Sequence, residues 1–436
     1  MMQSRAEMMQ FIEENDVKFI RLAFCDIFGV QKNIAIMASQ LPAVIERGVS
    51  FDASAIGGFS NVAESDLFLY PDLGTFSLLP WRPSEGCVGR FYCDIRYPDG
   101  RPFEGDGRYL LRQFIARAAE AGFSFQVGPE CEFYLFRTDD LGEPTLQPHD
   151  HAGYFDIAPL DRGENIRRQI CLTLEEMGVE PQRSHHEQGP GQNEIDFHCA
   201  SPLRAADNLM TLRAAVKAVS AQNGLFASFL PKPLENESGS GLHMNLSLYR
   251  GEKNLFEGFK QHPHPEAAAF LAGILTHISE ITAFANPLPS SYQRFGRCEA
   301  PSWVNWSCEN RSTLVRVPAA YGNDCRIEVR SPDCSCNPYF TILLLLEAGL
   351  EGIERKLPLP APFDKDASQQ PDMQADTLPA DLGQALAKMA ASPFVRRVLP
   401  QRLIDNYLGQ KTKEFEQYVH SENRGKYELQ AYFPMI

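Results

Sequence analysis

Ser238-Gly239-Ser240-Gly241-Leu242-His243-Met244-Asn245-Leu246-Ser247-Leu248 opens on a glycine–serine approach and then alternates without a break. Read as a strand, it puts Leu242, Met244, Leu246 and Leu248 on one face and His243, Asn245 and Ser247 on the other. The first face is core. The second carries groups able to bind or ligate. The glycines before it point to a backbone that comes close to a ligand. A lone histidine on a polar face is usually structural, so the strand gains meaning only from its partners.

Three further segments have the same character. In Gly128-Pro129-Glu130-Cys131-Glu132-Phe133 the period-two geometry of a strand puts both glutamates on one face, where they repel unless a cation lies between them. In His185-His186-Glu187-Gln188-Gly189-Pro190-Gly191-Gln192-Asn193-Glu194 a Gly-Pro-Gly turn brings Glu187 and Glu194 to opposing strands of a hairpin. In Arg326-Ile327-Glu328-Val329-Arg330 the charges alternate along one strand face, and Arg294, Arg311 and Arg316 add guanidiniums upstream. Alone, these read as solvent-facing acids, a polar hairpin tip and a salt-bridge ladder. Together they offer five carboxylates and one imidazole, a hard ligand set suited to Mg²⁺ or Mn²⁺ rather than to zinc or copper. Arginines beside divalent metals are the equipment for phosphoryl transfer from a nucleotide to an anionic co-substrate. The chain has no GxxxxGK[ST] loop and no well-placed GxGxxG, which excludes the P-loop and dinucleotide-binding architectures.

Around these segments the sequence reads as an α+β protein. A leading helix at Ala6–Glu14 precedes a hairpin of Val17–Phe24 and Asn33–Met37 and a further β-rich block at Cys87–Tyr97. Arg101–Gly107 is the expected boundary of a small N-terminal β domain. Beyond it helices are expected at Tyr109–Ala121, Asn165–Met177, Leu203–Asn223, Glu266–Ala283 and Pro338–Arg355. Strands are expected at Phe123–Phe136, Ser184–Phe197 (a hairpin), Leu242–Leu248 and Arg326–Arg330. Leu357–Pro379 reads as irregular, and two more helices close the chain.

The chain has 436 residues, 41 basic against 56 acidic, and a formal net charge of −15. That balance argues against non-specific nucleic-acid binding and against docking on anionic membranes. The first residues lack the apolar core of a secretory signal, and no apolar stretch reaches the roughly 18 residues of a spanning helix. The 11 cysteines include no CxxC pair, which fits reduced thiols, no zinc site and a cytoplasmic location.

At this point the residues carry a resemblance. FDASAIGGF and ESDLFLYPD (Phe51–Asp72), GPECEFYLF (Gly128–Phe136), GYFDIAPLDRGENIRR (Gly153–Arg168), HHEQGPGQNEIDF (His185–Phe197), FLPKP (Phe229–Pro233), SGSGLHMNLSL, the stretch Glu299–Ser312 and RIEVRSPD follow one another in order. The chain resembles type I glutamine synthetase, closest to its shorter α-like branch, over nearly its whole length. The resemblance implies a β-grasp domain over residues 1–103 and a catalytic domain over residues 104–436, whose antiparallel strands form a funnel surrounded by helices. It implies an ATP-dependent ligase of nitrogen metabolism that joins glutamate and ammonia through γ-glutamyl phosphate, leading to glutamine.

Residue by residue, it implies that Glu132, Glu187 and Glu194 hold one Mg²⁺ or Mn²⁺, and that Glu130, His243 and Glu328 hold another nearer the phosphates. Arg294 and Arg330 would bind the carboxylates of glutamate, with backbone contact from Gly239. Arg311 and Arg316 would bind the phosphates of ATP, with Asn245 and Ser247 in the same site. Asp52 would deprotonate ammonium from a neighbouring subunit, Tyr154 would line the ammonium pocket, and Glu299 would close a flap over the intermediate. Such sharing implies a homo-oligomer, two stacked hexameric rings in this family.

The departures gather at the amine and glutamate ends. Ser238 stands where the family writes asparagine before the glycine, and YQRFGRCEAP makes the flap one residue short. Ala53 and Ala55 flank Ser54, with Ala55 in place of a serine of the ammonium pocket, and Asn61 stands where an arginine linked to feedback control is common. These departures keep a second expectation open, a γ-glutamyl ligase for a larger amine or polyamine. A third, a non-catalytic structural or regulatory homologue, is weakened because all six ligand positions are filled.

Overall fold

The structure is a computed structural model that describes residues 5–59, 64–82, 85–367 and 376–436. Asn61 lies outside the described residues.

Val17–Cys25 (β1) is rich in aromatic and aliphatic residues and pairs antiparallel with Gln31–Met37 (β2). The turn between them is held by Asp26, whose carboxylate accepts from the N–H groups of Phe28 and Val30. Two short strands that the sequence reading passes over, Val49–Asp52 (β3) and Asp66–Pro71 (β4), pair with each other. Ser77–Leu78 (β5) and β4 both join Cys87–Arg96 (β6), and β6 runs parallel to β1. The first sheet is therefore ordered β2-β1-β6-β4-β3, with β5 on β6. A helix at Arg5–Glu14 (α1) buries Met8 and Ile12.

The second sheet is built on Phe123–Thr138 (β7), long enough to pair with several neighbours. Leu242–Arg250 (β12) pairs along one edge and Gln192–Phe197 (β10) along the other, with Pro181–His186 (β9) beyond β10; Pro144–Pro148 (β8) and Leu225–Ser228 (β11) also pair with β7, and Lys253–Asn254 (β13) pairs with β12. Three-residue strands extend the β12 side: Ile327–Val329 (β16), Val315–Val317 (β15) and Trp306–Cys308 (β14). Leu242, Met244, Leu246 and Leu248 are fully buried, so the apolar face of the opening segment is core. The register sets the chemistry. His243 lies opposite Glu130, Glu194 opposite Glu132, and Glu328 opposite both Asn245 and Arg316.

Helices pack behind this sheet. Pro265–Ala285 (α6) has 21 residues and is apolar enough to cross a membrane by length and composition, which amends the expectation that no stretch reaches that length. It is instead a core helix, with 78% of its most apolar window buried. It lies against Pro338–Glu354 (α7) through glycines: a Cβ on Gly352 would meet Ala269 O at 2.1 Å, and one on Gly273 would meet Ala348 O at 2.1 Å. Gly352→Ala is expected to destabilise the chain by about 1–3 kcal/mol, because backbone blocks the methyl group and the helices must part. Thermal unfolding reads this, and an unchanged midpoint would show that the two helices do not meet there.

At the chain's end the expectation of two helices is corrected to four: Leu382–Ala391, Pro393–Val398, Gln401–His420 and Arg424–Ala431. Ser392 explains part of the miscount, because it is the C-cap of the first and the N-cap of the second, accepting from Val395 N–H.

Candidate active site

The registers above bring carboxylates from β7, β10 and β16 to one place. Glu130 Oε2 lies 3.2 Å from His243 Nδ1, and Glu328 Oε1 lies 3.5 Å from the same nitrogen. Asn245 Nδ2 donates to Glu130 Oε1 at 2.9 Å, and Arg326 Nε donates to Asn245 Oδ1 at 2.9 Å. Burial pushes the Glu130 carboxyl up, but the His243 ring and the Asn245 amide outweigh it and leave the group below the usual carboxylate range. Glu130, His243 and Glu328 present ligand atoms within 4.8 Å of one another, the spacing of a metal site.

Glu187 and Glu194 anchor the second group, in which the ligand atoms within 4.8 Å of one another are theirs and one of His185; Glu132 is in no group of that spacing but lies opposite Glu194 in register. Burial, then the neighbouring charge of Glu132, pushes the Glu187 carboxyl up to about 7. The same two causes, in the same order, raise Glu194 well above its ordinary value. His185 enters this group too, with Nε2 3.4 Å from Glu194 Oε1. Glu132 is oriented by Gln192 Nε2 and by Gly241 N–H, each donating to its Oε2 at 2.9 Å. The upward shifts of Glu187 and Glu194 show that the surroundings supply these two carboxyls with too little positive charge. A hard divalent cation would provide that charge, and an oxygen-rich set with one imidazole fits such an ion.

Two cavities open on the cluster, and Glu130 lines both. One, of about 590 Å³, takes Glu132, Glu187, Glu194 and His243 with Arg294, Arg311 and Arg330. Tyr154, Gly239 and Glu299 line it as well. The other, of about 890 Å³, takes Asn245 together with Arg183, Asp196 and Arg326. Four expected site residues line neither cavity, and of these Glu328 still reaches the cluster through Glu130 and His243. Arg316 lines neither cavity and donates to Glu328 Oε2 at 2.6 Å. Ser247 is buried and donates its hydroxyl to Cys325 O at 3.0 Å. Asp52 is exposed on β3 and lines neither cavity, its carboxylate accepting from Ser54 N–H at 2.9 Å and from Ser54 Oγ at 2.6 Å.

The glycine-rich approach serves a purpose that the sequence alone did not show. A Cβ on Gly239 would meet Arg294 Cγ at 2.5 Å, and one on Gly241 would meet Arg294 NH2 at 2.9 Å. The glycines therefore make room for the buried Arg294 as well as for any ligand. Arg294 is held by Ser331 O at 3.2 Å and Pro332 O at 3.4 Å, and its Nε has no partner among the described residues. The flap residues Cys298 and Glu299 both have positive φ, 45° and 65°, a conformation that non-glycine residues rarely adopt. Arg330 ties them down: its Nε donates to Glu328 Oε1, and its NH1 donates to the carbonyls of Glu299 and Arg311.

Sequence reasoning assigned no role to Arg183, Gln192 or Asp196. Arg183 Nε donates to Asp196 Oδ2 at 2.8 Å and lies on the wall of the larger cavity. Nothing in the local pattern of β9 marks Arg183. Asp196 could have been found, since it shares a strand face with Glu194.

The sequence matches the family "Glutamine synthetase, beta-Grasp domain" over residues 16–98 and "Glutamine synthetase, catalytic domain" over residues 104–432. It is 44% identical to the glutamine synthetase of Clostridium saccharobutylicum over 423 residues, covering 95% of this chain and 96% of that protein. It is 43% identical to the glutamine synthetase of Methanosarcina mazei over 444 residues, covering 99% of this chain and 98% of that protein. Among solved structures, a GmaS/ADP complex superposes with a TM-score of 0.87 at 29% identity, covering 97% of this chain and 98% of that one. The Plasmodium falciparum glutamine synthetase superposes with a TM-score of 0.88 at 23% identity, covering 99% of both chains, and speaks for the fold alone. With both domains matched in order and the identity sustained along the chain, this protein belongs to the glutamine synthetase family.

Proposed function

We propose that the chain is an ATP-dependent glutamate–ammonia ligase that makes glutamine through γ-glutamyl phosphate. The observation that carries this reading is a pair of neighbouring acid clusters at two cavities that share Glu130 as a wall. One cavity has the arginines for a dicarboxylate, and the other is a separate opening for a nucleotide. Near-full-length relatives named glutamine synthetase support the same reading. Division into a β-grasp domain at residues 1–103 and a catalytic domain at 104–436 is supported by the two family matches.

Arg294 and Arg330 orient the carboxylates of glutamate, with the Gly239 backbone beside them. The γ-carboxylate oxygen attacks the γ-phosphorus of ATP, ADP leaves, and Arg311 lies where it can offset charge on the transferring group. Asn245 lines the nucleotide side; Ser247 and Arg316 act there only indirectly, through the strands that they brace. Glu132, Glu187 and Glu194 would hold one Mg²⁺ or Mn²⁺, and Glu130, His243 and Glu328 another. Such ions supply positive charge against the phosphate oxygens. Ammonium enters beside Tyr154 and Glu187, loses a proton to Asp52 of a second copy, and attacks the acyl carbon. The C–N bond forms and phosphate leaves. Glu299, on the strained flap, closes the cavity so that water does not take the amine's place.

Because Asp52 lines neither of the two cavities at the cluster, the reading calls for a homo-oligomer, and the family's two stacked hexameric rings satisfy it. A cytoplasmic location is supported by 11 free cysteines, with no disulfide among the described residues. The second reading, a larger amine, is favoured only by Ala55, small and exposed beside Asp52, and by the short flap. ATP-dependent phosphate release with glutamate and Mg²⁺ separates the two, with ammonium compared against primary amines and polyamines and products identified by mass spectrometry. Glutamine from ammonium is the expected result. Turnover with a larger amine alone would transfer the assignment to the second reading. Silence with every amine, while nucleotide binds, would overturn both.

A further inference from the structure

Behind Glu187, on the side away from the cavity, lies a buried pair that the reaction scheme leaves unused. Asp150 Oδ1 accepts from His186 Nε2 at 2.9 Å and from Gly191 N–H at 3.0 Å, while its Oδ2 accepts from Arg162 N–H at 2.9 Å. The other ring nitrogen of His186, Nδ1, lies 2.7 Å from the carbonyl of Glu187. The backbone oxygen of His186 accepts from Phe155 N–H at 3.1 Å. Phe155 stacks on Tyr154 with ring centroids 4.0 Å apart, and both set their faces against the His185 ring.

A second link runs in parallel. Arg167 bridges Asp161 and Asn193, with NH1 donating to Asn193 Oδ1 at 2.6 Å, and Asn193 Nδ2 donates to Gly191 O at 2.9 Å. The N–H of Gly191 is thus fixed by Asp150, and its C=O accepts both from Asn193 and from Leu135 N–H, the latter at 2.8 Å. Residues 150–163 and the turn 187–191 are joined by charged and backbone groups out of contact with water, where such bonds are strong and their loss is costly.

We propose that Asp150 and His186 are a positioning pair that holds the Tyr154–Phe155 loop and the Glu187 turn as one rigid piece, and so set the affinity for the amine. The inference rests on the ligase reading. Neither residue touches substrate, and each acts through a neighbour: Asp150 through the loop, His186 through the Glu187 carbonyl. Glutamate and nucleotide are bound from other elements, by Arg294 and Arg330 and by the β12 and β16 edge. At saturating Mg²⁺, which offsets any weaker hold by Glu187 on an ion, loosening the pair therefore moves the amine site and leaves the other substrate sites in place.

The test is steady-state kinetics of the assembled wild-type protein with Asp150→Ala, Asp150→Asn and His186→Gln, varying ammonium, glutamate and ATP in turn. The expected result for Asp150→Ala is a KM for ammonium raised about tenfold or more, since small misplacements of a positioned group are expensive. KM for glutamate and ATP stays within about twofold. Asp150→Asn keeps one acceptor oxygen and is expected to fall between wild type and alanine, a partial rescue that lost stability alone would not order in this way. Equal rises in all three KM values, or unchanged kinetics in an intact oligomer, would overturn the proposal. Should the alanine variant not assemble, Asp150→Asn and His186→Gln decide by the same split. The wild-type control keeps the two failures apart: no glutamine from the wild type refutes the ligase reading, whereas an active wild type with a flat variant series refutes only the pair.

Discussion

Glu328→Gln is expected to lower ATP-dependent turnover about a thousandfold, about 4 kcal/mol of transition-state stabilisation, while leaving the oligomer assembled. Glu328 is 2% exposed and sits where three positively polarised groups converge. Arg316 donates to one of its oxygens at 2.6 Å, Arg330 to the other at 3.1 Å, and His243 Nδ1 lies 3.5 Å away. Glutamine keeps the volume and one acceptor oxygen, so the strand stays packed. What disappears is the negative charge that holds a cation and keeps Arg330 turned toward the flap carbonyls. Alanine would be a poorer test, because it takes the carboxylate from the buried Arg330 and the half-buried Arg316 at a cost of about 3–5 kcal/mol and confuses folding with chemistry. Three measurements check the result: phosphate release, Mn²⁺ binding followed by electron paramagnetic resonance, and particle size. Full activity with unchanged Mn²⁺ affinity would sink the assignment of Glu328 to the metal.

The same residue shows what was legible in the sequence. Alternation within one strand can be read locally, so Glu130 with Glu132, and the polar face of β12, were visible at once. Their meeting was not. His243 and Glu130 pair across 113 positions, and nothing in either segment fixes a register over that distance. Only the family resemblance joined them. Two short strands escaped for a different reason: β14 and β15 have three residues each, too few for a period to declare itself, whereas β16 falls inside the strand expected at Arg326–Arg330. They exist because β16 offers β15 an edge and β15 offers one to β14, not because of their own propensity.

The polar face of β12 also over-promised. Read from the pattern alone, Ser247 belongs with His243 and Asn245, yet its hydroxyl is buried and turned to the Cys325 carbonyl, although Tyr249, two residues on, lines the larger cavity. Period two tells which way a side chain points, not what it meets there. Arg316 is a similar case. A guanidinium suits phosphate and carboxylate alike, and here the partner within reach is the chain's own Glu328.

Asp52→Asn is expected to lower glutamine formation about 10²–10⁴-fold, the usual weight of a proton acceptor in the reacting step, while glutamate-dependent cleavage of ATP persists. The carboxylate is fixed by its own turn. Ser54 binds it through both backbone and hydroxyl and holds the carboxyl below its ordinary range, so it is ionised and ready to accept a proton at neutral pH. Asparagine keeps the acceptor oxygen that the turn needs, so the fold of β3 survives. The geometry then makes a sharper demand. Asp52 lines neither cavity of its own chain, so a site that uses it must borrow it from another copy. Dissociating Asp52→Asn and Glu328→Gln proteins, mixing them and reassembling should restore activity, because some interfaces then join an intact Asp52 to an intact metal cluster. Each protein reassembled alone should stay inactive. If mixing restores nothing although mixed particles form, Asp52 serves its own chain or no site, and the shared-site reading fails. If Asp52→Asn alone keeps full activity, the proton of ammonium goes elsewhere, and Glu187 beside the Tyr154 wall of the cavity becomes the residue to test.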